Sequence, residues 1–275
     1  MTDFLPLRVR IKLYLKNLLP KSLFSFINIV WRNTFAYFVK GQDTLLKYQN
    51  RFLNKYPKVV QAGPFQDMKY VDKAIGSSYL HKLIGSYEAI LHPYIKALKD
   101  KNFDTFLDIG SAEGYYLIGF GKMFPNAHLI GFDLEETGRN LSKEMYEKNN
   151  LLNKLSLFGE ATSENVAPLI TEDTLLMCDC EGGEIDILDP EKFSAFKKIN
   201  TAIIELHDFI RPNAKEILIN RFQDTHNIKI IPFELANPAD FPFFKEVDNE
   251  KDLYELRRER GCQEQEWMIL ERKLI

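Results

Sequence analysis

The chain has 275 residues, 45% hydrophobic and 27% charged, with three cysteines and a formal net charge of −3. That balance excludes a disordered, collagenous or disulfide-stapled protein, and the length suits one large α/β domain with a modest extension. The near-neutral sum hides a division, because residues 1–58 carry +9 and residues 59–275 carry −12.

In chain order, residues 7–16 alternate Leu7, Val9, Ile11, Leu13 and Leu15 with Arg8, Arg10, Lys12, Tyr14 and Lys16. Alternation permits a strand, but Leu7, Ile11 and Leu15 at four-residue spacing favour a helix. Pro20 ends it, 22–39 reads as a second helix, and 42–56 as a third before Pro57. Arg and Lys recurring up to Lys21 exclude a secretory signal. Arg32 and several polar residues interrupt 22–39, short of the roughly 20 apolar residues a membrane span needs. Helical material follows from Ile75 to Leu98.

From residue 103 short apolar runs alternate with amphipathic segments. Strands are predicted over 103–108, 127–132, 154–158, 174–178, 200–206, 228–233 and 266–271. Helices are predicted over 114–124, 138–150, 163–170, 185–197 (broken), 213–224 and 250–260. This rhythm implies an α/β fold: a Rossmann-like, seven-stranded, mostly parallel sheet with helices on both faces. No clear helix returns the chain in parallel after 233, so the seventh strand is expected to run antiparallel. The domain is placed at 71–275, and 1–70 is read as a basic helical N-terminal extension. Cys178, Cys180 and Cys262 form no C-x-x-C pair, which argues against structural zinc and for a reducing, cytoplasmic setting.

The first strand runs into Asp108-Ile-Gly110-Ser-Ala-Glu113-Gly114. Glycines permit a tight turn and close approach of a ligand, and the following helix N-terminus adds positive potential. A dinucleotide fingerprint would want a second glycine where Ala112 stands, and Glu113 would oppose a pyrophosphate. The acids suit a ligand with a cationic amine and a sulfonium. Asp133 closes the second strand, where it can hold two ribose hydroxyls or cap a helix. Glu160 and Ala161 follow the third strand, where they can meet an adenine or cap a helix. The fourth strand ends in Asp179-Cys-Glu181-Gly-Gly-Glu184-Ile-Asp-Ile-Leu188.

Together these motifs resemble a class I S-adenosylmethionine-dependent methyltransferase, and the fourth-strand run resembles the FkbM-type family, with Cys180 and Gly183 as small departures. The resemblance covers roughly 80–275. It implies S-adenosylmethionine as donor and a hydroxyl acceptor on a saccharide, glycolipid or small metabolite. It would place Asp108, Gly110, Glu113 and Gly114 at the methionine end, Asp133 on the ribose, and Glu160 with Ala161 on the adenine. Asp179 would stand between donor and acceptor. Tyr87 and Glu88 are further candidates at the methionine end, or a helix surface pair.

An alcohol must lose its proton on methylation, and the fifth strand ends in Glu205-Leu-His207-Asp208. His207 is the favoured base. The rival is a divalent metal, Mg²⁺, held by Asp179, Glu205 and Asp208 with His207. Glu181 and Glu184 are expected to cap the helix after the fourth strand. Nucleic acid is disfavoured as a partner: the site half is acidic and lacks the Asn/Asp-Pro-Pro-aromatic run of base-modifying enzymes. Residues 1–58, basic and aromatic, suit either a packed cap or peripheral contact with an anionic membrane. A SAM-fold binding module without catalysis, acting through that segment, is the alternative.

Overall fold

The computed structural model describes residues 43–259 and 266–273. The helices expected at 7–16 and 22–39, and Cys262, lie outside the described residues. The chain divides into two units, Met1–Lys47 and Tyr48–Ile275. The second therefore begins well before residue 71, for a physical reason. Helix α1 (43–55) buries Tyr48 and Phe52. Tyr48 donates to Asp252 at 3.0 Å, Arg51 pairs with Asp248 at 2.7 Å, and the Phe52 ring meets Phe243 at 5.2 Å. Val60, Met68 and Tyr70 in the next loop are also buried.

Two short helices, α2 (Tyr79–Ile84) and α3 (His92–Ala97), precede the sheet. Then come β1 (Thr105–Ile109), α4 (Tyr115–Met123), β2 (His128–Phe132), α5 (Glu136–Lys148) and β3 (Leu155–Phe158). They are followed by α6 (Ser163–Val166), β4 (Thr174–Cys178), α7 (Glu184–Ile187), β5 (Thr201–Leu206) and α8 (Ala214–Phe222). The last elements are β6 (His226–Ile231), α9 (Glu250–Arg257) and β7 (Glu266–Arg272).

The seven strands form one sheet in the order β3-β2-β1-β4-β5-β7-β6. β1 to β5 pair in parallel, and β7 is antiparallel to both β5 and β6. This is a Rossmann-like fold. β7 slots between β5 and β6 because the described residues after β6 supply only short turns and α9, not a crossover covering the sheet.

Every residue of β1, β4 and β5 is buried, as strands covered on both faces require. Side chains alternate between two cores. Leu107, Ile109, Leu176, Ile204 and Met268 pack with Leu218 and Phe222 of α8 on one face. On the other, Phe106 meets Phe120 of α4 with ring centroids 4.5 Å apart. The strand order reverses between β1 and β4, and ligands of such sheets bind at that crevice, beyond the carboxyl ends of the strands.

Candidate active site

The turn after β1 is strapped to its neighbours. The Gly110 and Ser111 amides donate to the Phe132 carbonyl at 2.8 and 2.9 Å, and the Ala112 amide donates to Asp133 Oδ2 at 2.7 Å. Gly110 has φ +87°, and a Cβ there would lie 1.7 Å from the Asp179 carbonyl oxygen. Only glycine fits. Ala112, standing where a dinucleotide fold would have its second glycine, adopts φ +47°.

Asp108, the penultimate residue of β1, has its side chain buried. Its carboxylate accepts from the Leu117 amide in the first turn of α4, yet Oδ2 has no hydrogen-bond partner among the described residues. Burial pushes its pKa well above the usual carboxylate value, and the charges of Asp179 and Asp133 push it further. The site thus gathers acids from the ends of β1, β2 and β4. Asp133 is half-buried and also accepts from the Glu135 amide at 2.8 Å. Each of its oxygens keeps a lone pair for a further donor.

Glu113 takes a different place from the one expected at a ligand's methionine end. It is 0% exposed. Oε1 accepts from Lys82 Nζ and Tyr70 Oη, both at 2.5 Å, and Oε2 accepts from the Ile75 amide at 2.9 Å. Burial opposes its charge, but these donors, Lys82 foremost, outweigh that and lower its pKa. Glu113 thus ties the loop before α2, and α2 itself, to the turn that carries Gly110. Sequence reasoning missed Lys82, which is buried between the Tyr87 and Tyr115 rings at 4.8 and 5.5 Å from their centroids. Its sequence signal is a lysine beside His81 in a short, mostly apolar helix, Tyr79–Ile84.

Glu88 is buried and has φ +48°. It accepts from the Tyr116 hydroxyl, and its amide donates to both Glu259 oxygens at 2.7 and 2.8 Å. Tyr87 and Glu88 are therefore not a helix surface pair. At the far side, Glu160 is exposed after β3, and Ala161 is packed against the core. The helix cap that Glu160 might have supplied is filled by Thr162 and Asn165, which form a capping box.

The turn after β4 reverses with Glu181 at φ +54° and Gly182 at φ +96°. Glu184 folds back into it, accepting from the Cys180 and Gly182 amides at 3.2 and 3.3 Å. The same Oε1 lies 2.8 Å from His207 Nδ1. That pairing was not visible in the sequence, where Glu184 reads only as a helix-capping acid. His207 is fully buried. Burial alone would lower its pKa, but Glu184, then Asp179 and Glu181, raise it overall. Its Nε2 lies 3.7 Å from Asp179 Oδ1 and 3.6 Å from Glu205 Oε2.

Asp179, Glu205 and His207 present ligand atoms within 4.8 Å of one another. Asp208, expected with them as a metal ligand, turns away. Its Oδ2 accepts from the Lys215 amide at 3.1 Å and so caps the start of α8. The residue after His207 points its carboxylate to the helix that follows the strand, not to the site.

No family model matches this chain, and no curated protein matches it. Solved structures similar in chain path include a precorrin-8w decarboxylase from Methanobacterium thermoautotrophicum: 12% identity, 74% of this chain, 96% of that one, TM-score 0.47. Another is a precorrin-6y C5,15-methyltransferase from Geobacter metallireducens: 10% identity, 74% and 92% coverage, TM-score 0.45. A third is an O-methyltransferase from Streptomyces achromogenes, solved with SAM: 11% identity, 73% and 82% coverage, TM-score 0.41. At TM-scores below 0.5 these likenesses carry no argument about chemistry, which rests on the site itself. No helix among the described residues is long and apolar enough to cross a membrane.

Proposed function

We propose that the protein transfers a methyl group from S-adenosylmethionine to a hydroxyl oxygen of a saccharide, glycolipid or small metabolite. The observation that carries this reading is the enclosed, unpartnered Asp108 Oδ2 beside Asp133 and Asp179 at the switch point of the sheet. Clustered buried acids need a compensating cation. S-adenosylmethionine brings two positive groups, its amine and its sulfonium. Asp108 and the Gly110–Gly114 turn then take the methionine end. Asp133 takes the ribose hydroxyls, and Glu160 with Ala161 faces the adenine. Glu113 and Glu88 serve by holding the walls around the turn.

The transfer is an in-line displacement. The S–CH₃ bond breaks, its electron pair stays on sulfur as a neutral thioether, and an O–CH₃ bond forms. The protein's work is alignment and exclusion of water. Asp179 bridges the two halves of the site, coupled electrostatically to Asp108 on one side and 3.7 Å from His207 Nε2 on the other. The acceptor hydroxyl approaches this centre at its open edge, beside the partly exposed Asp179, and must shed its proton there. Residues 1–58, basic and aromatic, would contact an anionic lipid surface.

Calorimetry with S-adenosylhomocysteine tests the donor assignment, with saturable binding of one equivalent expected. No binding overturns the reading. Methyl-labelled donor incubated with a cell extract is then expected to label the saccharide, lipid or small-metabolite fraction. Label found only in nucleic acid or protein would overturn the acceptor class.

A further inference from the structure

His207 Nε2 is fully enclosed, has no hydrogen-bond partner among the described residues, and faces the carboxylates of Asp179, Glu205 and the exposed Glu181. Asp179 follows β4 and Glu205 lies in β5, and these strands are parallel neighbours. The separations of 3.6 and 3.7 Å exceed a charge-assisted hydrogen bond of about 2.7–2.9 Å. They lie close to the edge of a coordination shell, which is about 3–3.5 Å for metal bonds of about 2.1 Å. The three ligand atoms lie within 4.8 Å of one another, so the carboxylates would draw in to complete such a shell.

We infer that Asp179, Glu205 and His207 hold a divalent cation, with Glu184 as the residue that orients the imidazole. Glu184 Oε1 sits on Nδ1 at 2.8 Å, which puts the proton on Nδ1 and the lone pair on Nε2. A metal-bound histidine commonly donates its other N–H to a carboxylate in this way. The Cys180 and Gly182 amides pin Glu184 in turn, so the orienting group is itself fixed. Two carboxylates and one imidazole suit Mg²⁺ or Mn²⁺ better than a soft ion. The Asp179 side chain is 26% exposed, which leaves the remaining coordination positions open toward solvent and an acceptor.

The role of this ion in the reaction rests on the methyl-transfer reading; its binding does not. Held by Asp179, Glu205 and His207, the ion would supply Lewis acidity that lowers the pKa of the acceptor hydroxyl, whose proton would pass to solvent water. His207 then acts as a ligand, not as the base that the sequence alone favoured.

The test uses the full chain, stripped with chelator and titrated with Mn²⁺, with free Mn²⁺ read by electron paramagnetic resonance. One equivalent is expected to bind. His207→Gln and Glu205→Gln are expected to abolish binding. Glu184→Gln should weaken it about 10- to 100-fold, the usual effect of losing an orienting partner. The exposed Glu144→Gln should leave it unchanged. A cooperative thermal melt of each variant reports that the fold is intact, and S-adenosylhomocysteine binding is measured in parallel. No Mn²⁺ binding by wild type, or equal binding by all variants, overturns the metal site and leaves the donor reading standing. Mn²⁺ binding without S-adenosylhomocysteine binding supports the metal site and overturns the methyltransferase reading instead.

Discussion

Asp108→Asn separates a carboxylate kept for a ligand from one kept for the fold. The buried Asp108 carboxylate has one oxygen without a partner and two acids nearby. Its raised pKa means that the folded state binds the proton more tightly than the unfolded chain, whose value is 3.8. Stability is therefore lost as pH rises above that value, and the empty protein is penalised at neutral pH. Asparagine keeps the shape and can still accept from the Leu117 amide. It removes the buried charge and its repulsion from Asp179 and Asp133, which is worth about 1–3 kcal/mol although the amide that replaces it stays buried. For a domain of this size that corresponds to a rise in Tm of roughly 2–10 °C. The donor's amine, however, loses a charge-assisted bond worth about 1.5–3 kcal/mol, so binding should weaken about 10- to 150-fold. Differential scanning fluorimetry and calorimetry with S-adenosylhomocysteine read the two effects. A variant that melts lower than wild type and binds the ligand equally well would refute the reasoning, because Asp108 would then be an ordinary structural acid.

Other outcomes follow from the same geometry. Gly110→Ala forces a Cβ to 1.7 Å from a backbone oxygen at φ +87°, so it should lose about 3 kcal/mol or more in urea melts. Gly159→Ala meets no atom within 4 Å and should change stability by less than about 0.5 kcal/mol. Lys82→Met leaves the buried Glu113 without its counter-charge, a loss of about 3–5 kcal/mol, and adding Glu113→Gln should restore part of it in a double-mutant cycle. His81 is buried with its pKa lowered to about 4, by burial above all and despite its bond to the Leu256 carbonyl. The unfolded chain thus binds the proton first, and stability falls as pH drops from 6.5 toward 4. By pH 5 the loss is about 2 kcal/mol. His92, also lowered to about 4 by burial, adds its own loss, so urea melts at pH 7.5 and 5 should show a loss smaller by about 2 kcal/mol in His81→Gln than in wild type.

The secondary structure was legible because its signal is local. Apolar runs such as Thr174–Cys178 and Thr201–Leu206 are buried on both faces and carry no competing pattern. The lack of a crossover helix after β6 already implied the antiparallel β7. Asp108, Gly110 and Asp133 could be marked because strand ends and turns announce themselves by residue type. The mid-chain boundary was harder. A change of charge near residue 58 reflects composition, whereas the compact unit starts at Tyr48, where buried aromatic contacts begin.

Only the tertiary structure decided which acid meets which cation. Glu113 reads as a ligand-facing acid, yet Lys82, 31 residues away, holds it inside the wall. Glu184 reads as a capping acid, yet it is also the partner of His207, 23 residues on. Asp208 reads as a site acid, yet it caps α8. Periodicity tells which face of a strand or helix is buried. It does not tell where a side chain in a turn points, because that depends on which strand ends become neighbours. The sequence by itself determined the sheet, its glycine turn and the kinds of groups at its carboxyl edge. Packing of β1 against β4, and of β4 against β5, decided which of those groups form a centre.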